Sequence, residues 1–348
     1  GENSIAIGLL HDIQEAKIAG KININSNKGV GVFTGVPVGL PTATTPDFVK
    51  LKGEININNT AVNAVGTYVG DTSVDLNDGK VNGTVTTGRK YLRSGDVEAE
   101  STSIITVKGT TNYGFVVNNS SNYSKFSGAL DDMQQGIDKT NHGRGINDGK
   151  IYVEGEKSVG FALIKGGDSS NSGTISVKPS SEESVGFYGE QDKFDNSGTI
   201  EVTTTGKKKN IGVALNGKNN NQKIVFTNTG NVNINNNGTA ATDGSTNTGV
   251  YAIGNYEFNH NSGNINIGKN ATGFYVQGAD GVVNVKAPVN LAESTDGTTI
   301  GFYSDGKAKV NFENGSVLNI GNRAVGLYSS DSEKFNDTFI IKTGEKLN

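Results

Sequence analysis

The chain has no cysteine and no tryptophan, one methionine and five prolines in 348 residues, and only 33% of it is hydrophobic. Without cysteine there is no disulfide scaffold and no thiolate-ligated metal. The three histidines, His11, His142 and His260, do not form a pair with ligand spacing, and no GGxGxD calcium repeat occurs. No apolar run approaches the roughly 18 residues of a membrane-spanning helix, and Gly1 is not followed by the basic stretch of a secretory leader. With 31 basic and 35 acidic residues the net charge is −4, which gives no general drive toward nucleic acid or an anionic membrane. The one basic run, Lys207 to Lys209, reads as a solvated turn. So little apolar mass is unusual for a compact globule of this length, but it suits a thin, one-dimensional core.

Glycine is abundant instead, 49 residues, roughly double the usual share. The glycines fall into two patterns that recur in the same order along nearly the whole chain, both present in residues 171–188, NSGTISVKPSSEESVGFY. The first is a polar turn followed by G-x-(I/V)-x-(I/V), starting at Gly20, Gly53, Gly149, Gly173, Gly198, Gly230 and Gly263. The second is a hydrophobic-Gly-hydrophobic-aromatic tetrad. It reads IGLL at Gly8, VGVF at Gly31, VGTY at Gly66, YGFV at Gly114, VGFA at Gly160 and VGFY at Gly186. It continues as IGVA at Gly212, TGVY at Gly249, TGFY at Gly273, IGFY at Gly301 and VGLY at Gly326. From Gly160 onward successive tetrad glycines are 26, 26, 37, 24, 28 and 25 residues apart, mostly the length of one coil of about three short strands with turns. A phenylalanine just before the polar turn marks the third strand: Phe194, Phe226, Phe258, Phe312 and Phe335. These features predict an all-β chain, a right-handed parallel β-helix (β-solenoid) with about three short strands per coil, running as a single segment through residues 1–348.

In GTIEV, Ile200 and Val202 share one face and Thr199 and Glu201 the other, which is the period of a half-buried strand rather than of a helix. Stacked coils about 4.8 Å apart give each backbone group a partner above and below and align like side chains. The residues flanking the tetrad glycine, such as Val185 and Phe187, are expected to point inward. The next column, Tyr251, Tyr275, Tyr303 and Tyr328, is then an outward tyrosine ladder, serving packing between coils or a sugar-stacking surface. Asn171, Asn196, Asn228 and Asn261 stand two residues before a glycine, placed to hydrogen-bond up the stack at a tight corner.

The pattern is clear over 149–348, with longer turns at 235–247 and 286–299, and irregular over 1–148. A loop at 34–50 holds three of the five prolines and marks an excursion from the coil. The glycines of 66, 114 and 160 are 48 and 46 residues apart, so each gap holds either a degenerate coil or an insertion. For the first gap a hidden coil centred on Gly88 is expected. The second is open between a coil around Gly136 and a helix, because Leu130, Met133 and Ile137 are spaced for one helical face. Neither end shows a polar cap, so the chain is expected to be a piece of a longer array.

Three stretches superficially suggest chemistry. GVALNGKN at Gly212 and GFYSDGKA at Gly301 approach the phosphate-loop pattern, but both lack its hydroxyl residue and neither opens a helix. GGDSSNSG at Gly166 faintly resembles a serine nucleophile turn, without a histidine in the same coil. Asp131, Asp132, Lys139, His142 and Arg144 could supply a β-helical polysaccharide-degrading enzyme with acid and base groups. The reading preferred is that the chain is not an enzyme and carries no catalytic residues, no metal and no cofactor.

The succession of N-S-G-x-I-x-V and V-G-F-Y, as in NSGTIEV at 196–202 and VGFY at 185–188, resembles the passenger regions of type Va autotransporters. It looks most like the large fusobacterial outer-membrane adhesins. The resemblance covers most of 149–348 and, more loosely, 1–70. It implies a passenger segment on the extracellular side of the bacterial outer membrane, held there through a C-terminal barrel that this chain lacks. The absence of cysteine suits a chain that crosses an oxidising periplasm unfolded. The implied function is attachment, as a monomer, to a protein or glycan on host cells or other bacteria, with no nucleic-acid partner; the alternatives are a spacer of the rod or the enzyme above. Specificity in such rods is carried by excursions. The expected ligand-binding residues are therefore Tyr91 and Arg93 in GRKYLRSG, Tyr123 and Phe126 in NYSKF, and His142 and Arg144 in NHGRG.

Overall fold

Alternating apolar residues decide the architecture. In the strand Thr199–Thr204, Ile200 and Val202 are buried. They stack in register on Ile175 and Val177 of the preceding coil and on Val232 and Ile234 of the next. A computed structural model describes residues 2–9, 15–34, 48–70, 96–118, 143–165, 167–204, 209–218, 222–236, 246–294, 298–341 and 346–347. Among these the chain forms three parallel sheets, A, B and C, of eleven strands each, visited in that order by every coil. The fold is a parallel β-helix. Coils are numbered here by their sheet A strand, from Ile5–Leu9 in coil 1 to Val325–Ser329 in coil 11.

The core is a single column of inward side chains. Sheet C contributes pairs such as Ile55 and Ile57, Ile151 and Val153, and Ile265 and Ile267, almost all fully buried. Sheets A and B contribute phenylalanines that touch from coil to coil. Phe115 stacks on Phe161 at 4.7 Å, Phe226 on Phe258 at 5.2 Å and Phe274 on Phe302 at 4.4 Å between centroids, and within one coil Phe187 lies 3.9 Å from Phe194. Burying each such side chain contributes about 2 kcal/mol, and the sum grows with coil number because each coil packs only on its neighbours.

The tetrad is built differently from expectation. Phe187 points into the core, but Val185 packs with Tyr188 on the outer side of sheet A. Gly186 lies between them because a Cβ there would stand 2.7 Å from the Gly212 carbonyl oxygen of the next coil. The same close approach recurs at Gly160, Gly212 and Gly249, so the glycine column is where successive backbones come too near for a side chain.

Register also corrects four further expectations. Tyr113–Asn118 pairs directly with Val65–Gly70 on one side and Val159–Lys165 on the other. No hidden coil separates them, so both long gaps are insertions; the stretches proposed as coils around Gly88 and Gly136 lie outside the described residues. In coil 1, Gly8 pairs with Phe33, and Ile5 and Ile7 with Val30 and Val32. The place of the tetrad glycine therefore falls on Ala6, because alternation of the two isoleucines sets the register. Phe312 pairs with Val285 rather than continuing the Phe258 column, whose place passes to Val283 and Val310. Phe335 opens a short helix, Phe335–Thr338, and the strand position in coil 11 is filled by the buried Phe339.

Candidate functional site

The three corners of the coil are not equivalent. At the corner from sheet B to sheet C the connections are short, and a buried ladder of side chains crosses the coils. The Nδ2 of Asn147 donates to Asn171 Oδ1, Asn171 to Asn196 and Asn196 to Asn228, each at 2.6 Å. Asn228 Nδ2 then meets His260 Nδ1 at 3.1 Å. All five side chains are fully buried. The expected fourth asparagine, Asn261, is displaced. Asn228 and His260 are register partners, and so are Val232 and Ile265, so this corner holds one extra residue and His260 takes the place.

The corner from sheet C to sheet A carries a second ladder that sequence reasoning missed. Here a side-chain oxygen accepts a backbone N–H of the preceding coil. Ala64 N donates to Asn112 Oδ1 at 2.7 Å and Asn112 N to Ser158 Oγ at 3.1 Å. The series continues from Ser158 to Ser184, Ser184 to Asn210 and Asn210 to Asn247 at 2.9–3.1 Å. The residue just before this column is left-handed in many coils, including Asn63, Thr111, Lys157, Glu183 and Lys209, with φ between 51° and 63°. Few non-glycine residues adopt that backbone. The signal was available in the sequence: a small polar residue two places before the tetrad glycine, at Asn112, Ser158, Ser184, Asn210, Asn247 and Thr299.

No such ladder runs along the corner from sheet A to sheet B among the described residues. All three long excursions leave there: 35–47 in coil 2, 71–95 in coil 3 and 119–142 in coil 4. Their roots are neighbours in the sheets. Thr34 pairs with Val69 and Gly70 with Asn118 where the chain departs; Phe48 pairs with Asp96 and Val97 with Gly145 where it returns. In coils 5 and 6 the same corner is crossed by residues 166–168 and 190–191 alone.

Of the expected ligand-binding residues, Tyr91, Arg93, Tyr123, Phe126 and His142 lie outside the described residues, as do Asp131, Asp132 and Lys139 of the enzyme alternative. Arg144 is described and is engaged. Its Nη2 and Nε donate to Asp96 Oδ2 at 2.7 and 3.0 Å, and its backbone N donates to Asp96 Oδ1 at 2.8 Å. Asp96 is nearly buried and Arg144 about one-third exposed. The pair joins the return points of two excursions and acts as a staple between coils 3 and 4.

The tyrosine ladder is present. Tyr251, Tyr275, Tyr303 and Tyr328 stack with centroids 5.3, 4.7 and 5.2 Å apart and planes within 18°. Both faces of Tyr275 and Tyr303 are covered by their neighbours, so a sugar would find ring edges and hydroxyls there. Stacking on a ring face is closed at these two positions, and the packing role is the one the geometry serves. Sheet C carries a comparable outer ladder, Asn233, Asn266, Asn290 and Asn319, linked at 2.7–2.8 Å. On sheet B, Asn259, Asn284 and Asn311 are linked at 2.8 Å.

The remaining motifs are parts of the coil. Gly212 lies within the strand Ile211–Gly217 and Gly301 within Ile300–Ser304, so neither sits at a helix N-terminus as a phosphate loop requires. Ser169 is buried, with its Oγ accepting from Gly145 N at 3.1 Å and donating to Gly167 O at 3.0 Å. Among the described residues no group of three or more His, Cys, Asp or Glu is arranged to hold a metal ion. No described helix is long and apolar enough to cross a membrane. Comparison with protein-family models, curated proteins and solved structures gives no match.

Proposed function

We propose that this chain is a surface-exposed passenger segment of a bacterial autotransporter adhesin, attaching the cell to a protein or glycan on host cells or on other bacteria. The observation that carries the reading is the convergence of three excursions on one corner in consecutive coils. Tyr91, Arg93, Tyr123, Phe126 and His142 belong in sequence to segments whose described roots pair with each other in adjacent coils. A stiff parallel β-helix holds such segments away from the membrane, and variable loops on a rigid scaffold are where binding concentrates. Arg144 serves this arrangement as a positioning residue, through Asp96, rather than as a direct contact.

A second reading, a spacer, is favoured by coils 7 to 10. Their outer asparagine and tyrosine ladders satisfy one another, and the connections from sheet A to sheet B are short. Binding of the purified chain to epithelial and bacterial cells separates the two readings. The adhesin reading expects saturable binding that falls at least tenfold when 71–95 and 119–142 are each replaced by a three-residue link. Absence of binding by the intact, folded chain would leave the spacer.

A further inference from the structure

His260 differs from every other member of the ladder it ends. The four asparagines are oriented alike: Asn147, Asn171 and Asn196 each donate from Nδ2 to the next Oδ1, and Asn228 donates from Nδ2 to Gly230 O at 3.0 Å as well as facing the ring. The orientation of Asn228 is thereby fixed from both sides, and the last donor needs an acceptor. The ring supplies one. His260 Nε2 faces Pro288 O at 3.0 Å, and a carbonyl can only accept, so the single proton of the neutral ring belongs on Nε2 and Nδ1 carries the lone pair that faces Asn228.

We propose that His260 is an acid-sensitive terminator of the buried amide ladder. Neutral, it accepts the ladder's last hydrogen bond and ties coil 7 to coil 8. Protonated, its Nδ1 carries a hydrogen whose nearest acceptor is the Asn228 backbone carbonyl, and the Nδ2 of Asn228 loses its acceptor on the ring, so the tie between the side chains becomes a contact between two donors. Turning Asn228 over does not relieve this at one site. Its Nδ2 would then face the Nδ2 of Asn196, so every amide back to Asn147 would have to turn and give up its bond to the corner carbonyl, at Gly149, Gly173, Gly198 or Gly230. The ladder thus has one favourable polarity, and the charge state of a single ring selects it.

The surroundings leave the ring to its own chemistry. The strands packed against it, Ile224–Asn228, Val282–Val285 and Pro288–Leu291, contain no charged residue. On its own strand, Glu257 is turned outward and pairs with Lys223 at 3.1 Å, and the exposed Lys286 pairs with Glu313 at 3.6 Å. Tyr256, also on that strand, is buried, and burial pushes its hydroxyl above the ordinary range. Burial holds the His260 imidazolium below its usual range, against the opposing pull of the Pro288 and Asn228 carbonyls. The folded value is therefore lower than the unfolded one, near 6.5. Stability from this site is complete above about pH 6.5 and is lost as pH falls toward the folded value, because the unfolded chain binds the proton first.

Native-state hydrogen exchange tests this, corrected for intrinsic exchange, at the amides of Thr229, Asn261 and Lys286, which bond across this corner. Below about pH 6 the opening constant is expected to rise by up to tenfold per pH unit. In His260→Asn, which continues the ladder with an amide, it should stay flat. Equal acid sensitivity in both chains would overturn the proposal. A titration of the ring by NMR in the His11→Asn, His142→Asn chain reads the same point without altering the ladder. Protonation there at or above about pH 6.5, or a neutral ring carrying its proton on Nδ1, would also overturn it.

Discussion

The corner from sheet B to sheet C and the corner from sheet A to sheet B are crossed equally often by the same chain, yet they obey opposite rules. At the first, connections are two to four residues long wherever both strands and the turn are described, and five consecutive coils share one buried ladder from Asn147 to His260. At the second, the connection runs from a single residue, Asn255, to the 25 residues of 71–95. A buried amide tied to the amides of both neighbours cannot shift without stranding polar groups, so inserted residues are costly at this corner. The ladder from sheet C to sheet A, made of single side-chain to backbone bonds, spans the longer connection 237–246. Where none runs, the sheets on either side keep their register and the chain between them is free to vary. Variation, and with it the candidate site, collects at the corner without a ladder.

Breaking the ladder should have the largest effect. Asn196→Leu leaves Asn171 without an acceptor and Asn228 without a donor in a fully buried setting, and we expect a loss of roughly 2–4 kcal/mol in urea unfolding. At the open corner the Asp96–Arg144 pair ties two coils through three hydrogen bonds. Removing the guanidinium with Arg144→Met keeps the backbone bond to Asp96 and leaves the carboxylate otherwise uncompensated. The expected loss is about 1–2 kcal/mol by the same measurement, reduced because Arg144 is partly solvated.

Much of this was legible in the sequence, and the reasons for the exceptions are physical. Period-two alternation and the recurring tetrad are local signals, and they located all eleven sheet A strands and seven of the sheet C strands; the sheet C strand Pro288–Leu291, with Val289 and Leu291 buried, falls instead in the stretch 286–299 read as a longer turn. The same signals misassigned Gly8 and Phe312, because alternation is indifferent to a shift of two residues and only pairing with the neighbouring coil fixes the choice; Phe335 lies in a helical turn four residues before Phe339, which takes the strand position. The gaps around Gly66, Gly114 and Gly160 misled for a related reason. An insertion close to a coil in length, as 71–95 is with its recurring glycines and valines, differs from a coil only in whether its neighbours pair across it, as Val65–Gly70 and Tyr113–Asn118 do. Val185 was misplaced because the glycine beside it interrupts the alternation. Of the candidate site, the sequence identified the proline-rich loop as a departure from the coil, expected a coil in the first long gap and left the second open; that all three are insertions at one corner follows only from the strand pairing and order.

If the two laddered corners hold the rod by themselves, the excursions at the third are dispensable for folding, and one shortened chain decides this. Residues 35–47, 71–95 and 119–142 are replaced together by the three-residue type of connection found at 166–168, and urea unfolding is followed by circular dichroism. An unchanged β spectrum is expected, with an unfolding free energy within about 1 kcal/mol of the parent, since shortening a loop alters closure entropy only slightly. Loss of the β signal, or a destabilisation as large as that of Asn196→Leu, would show instead that the excursions hold the coils together.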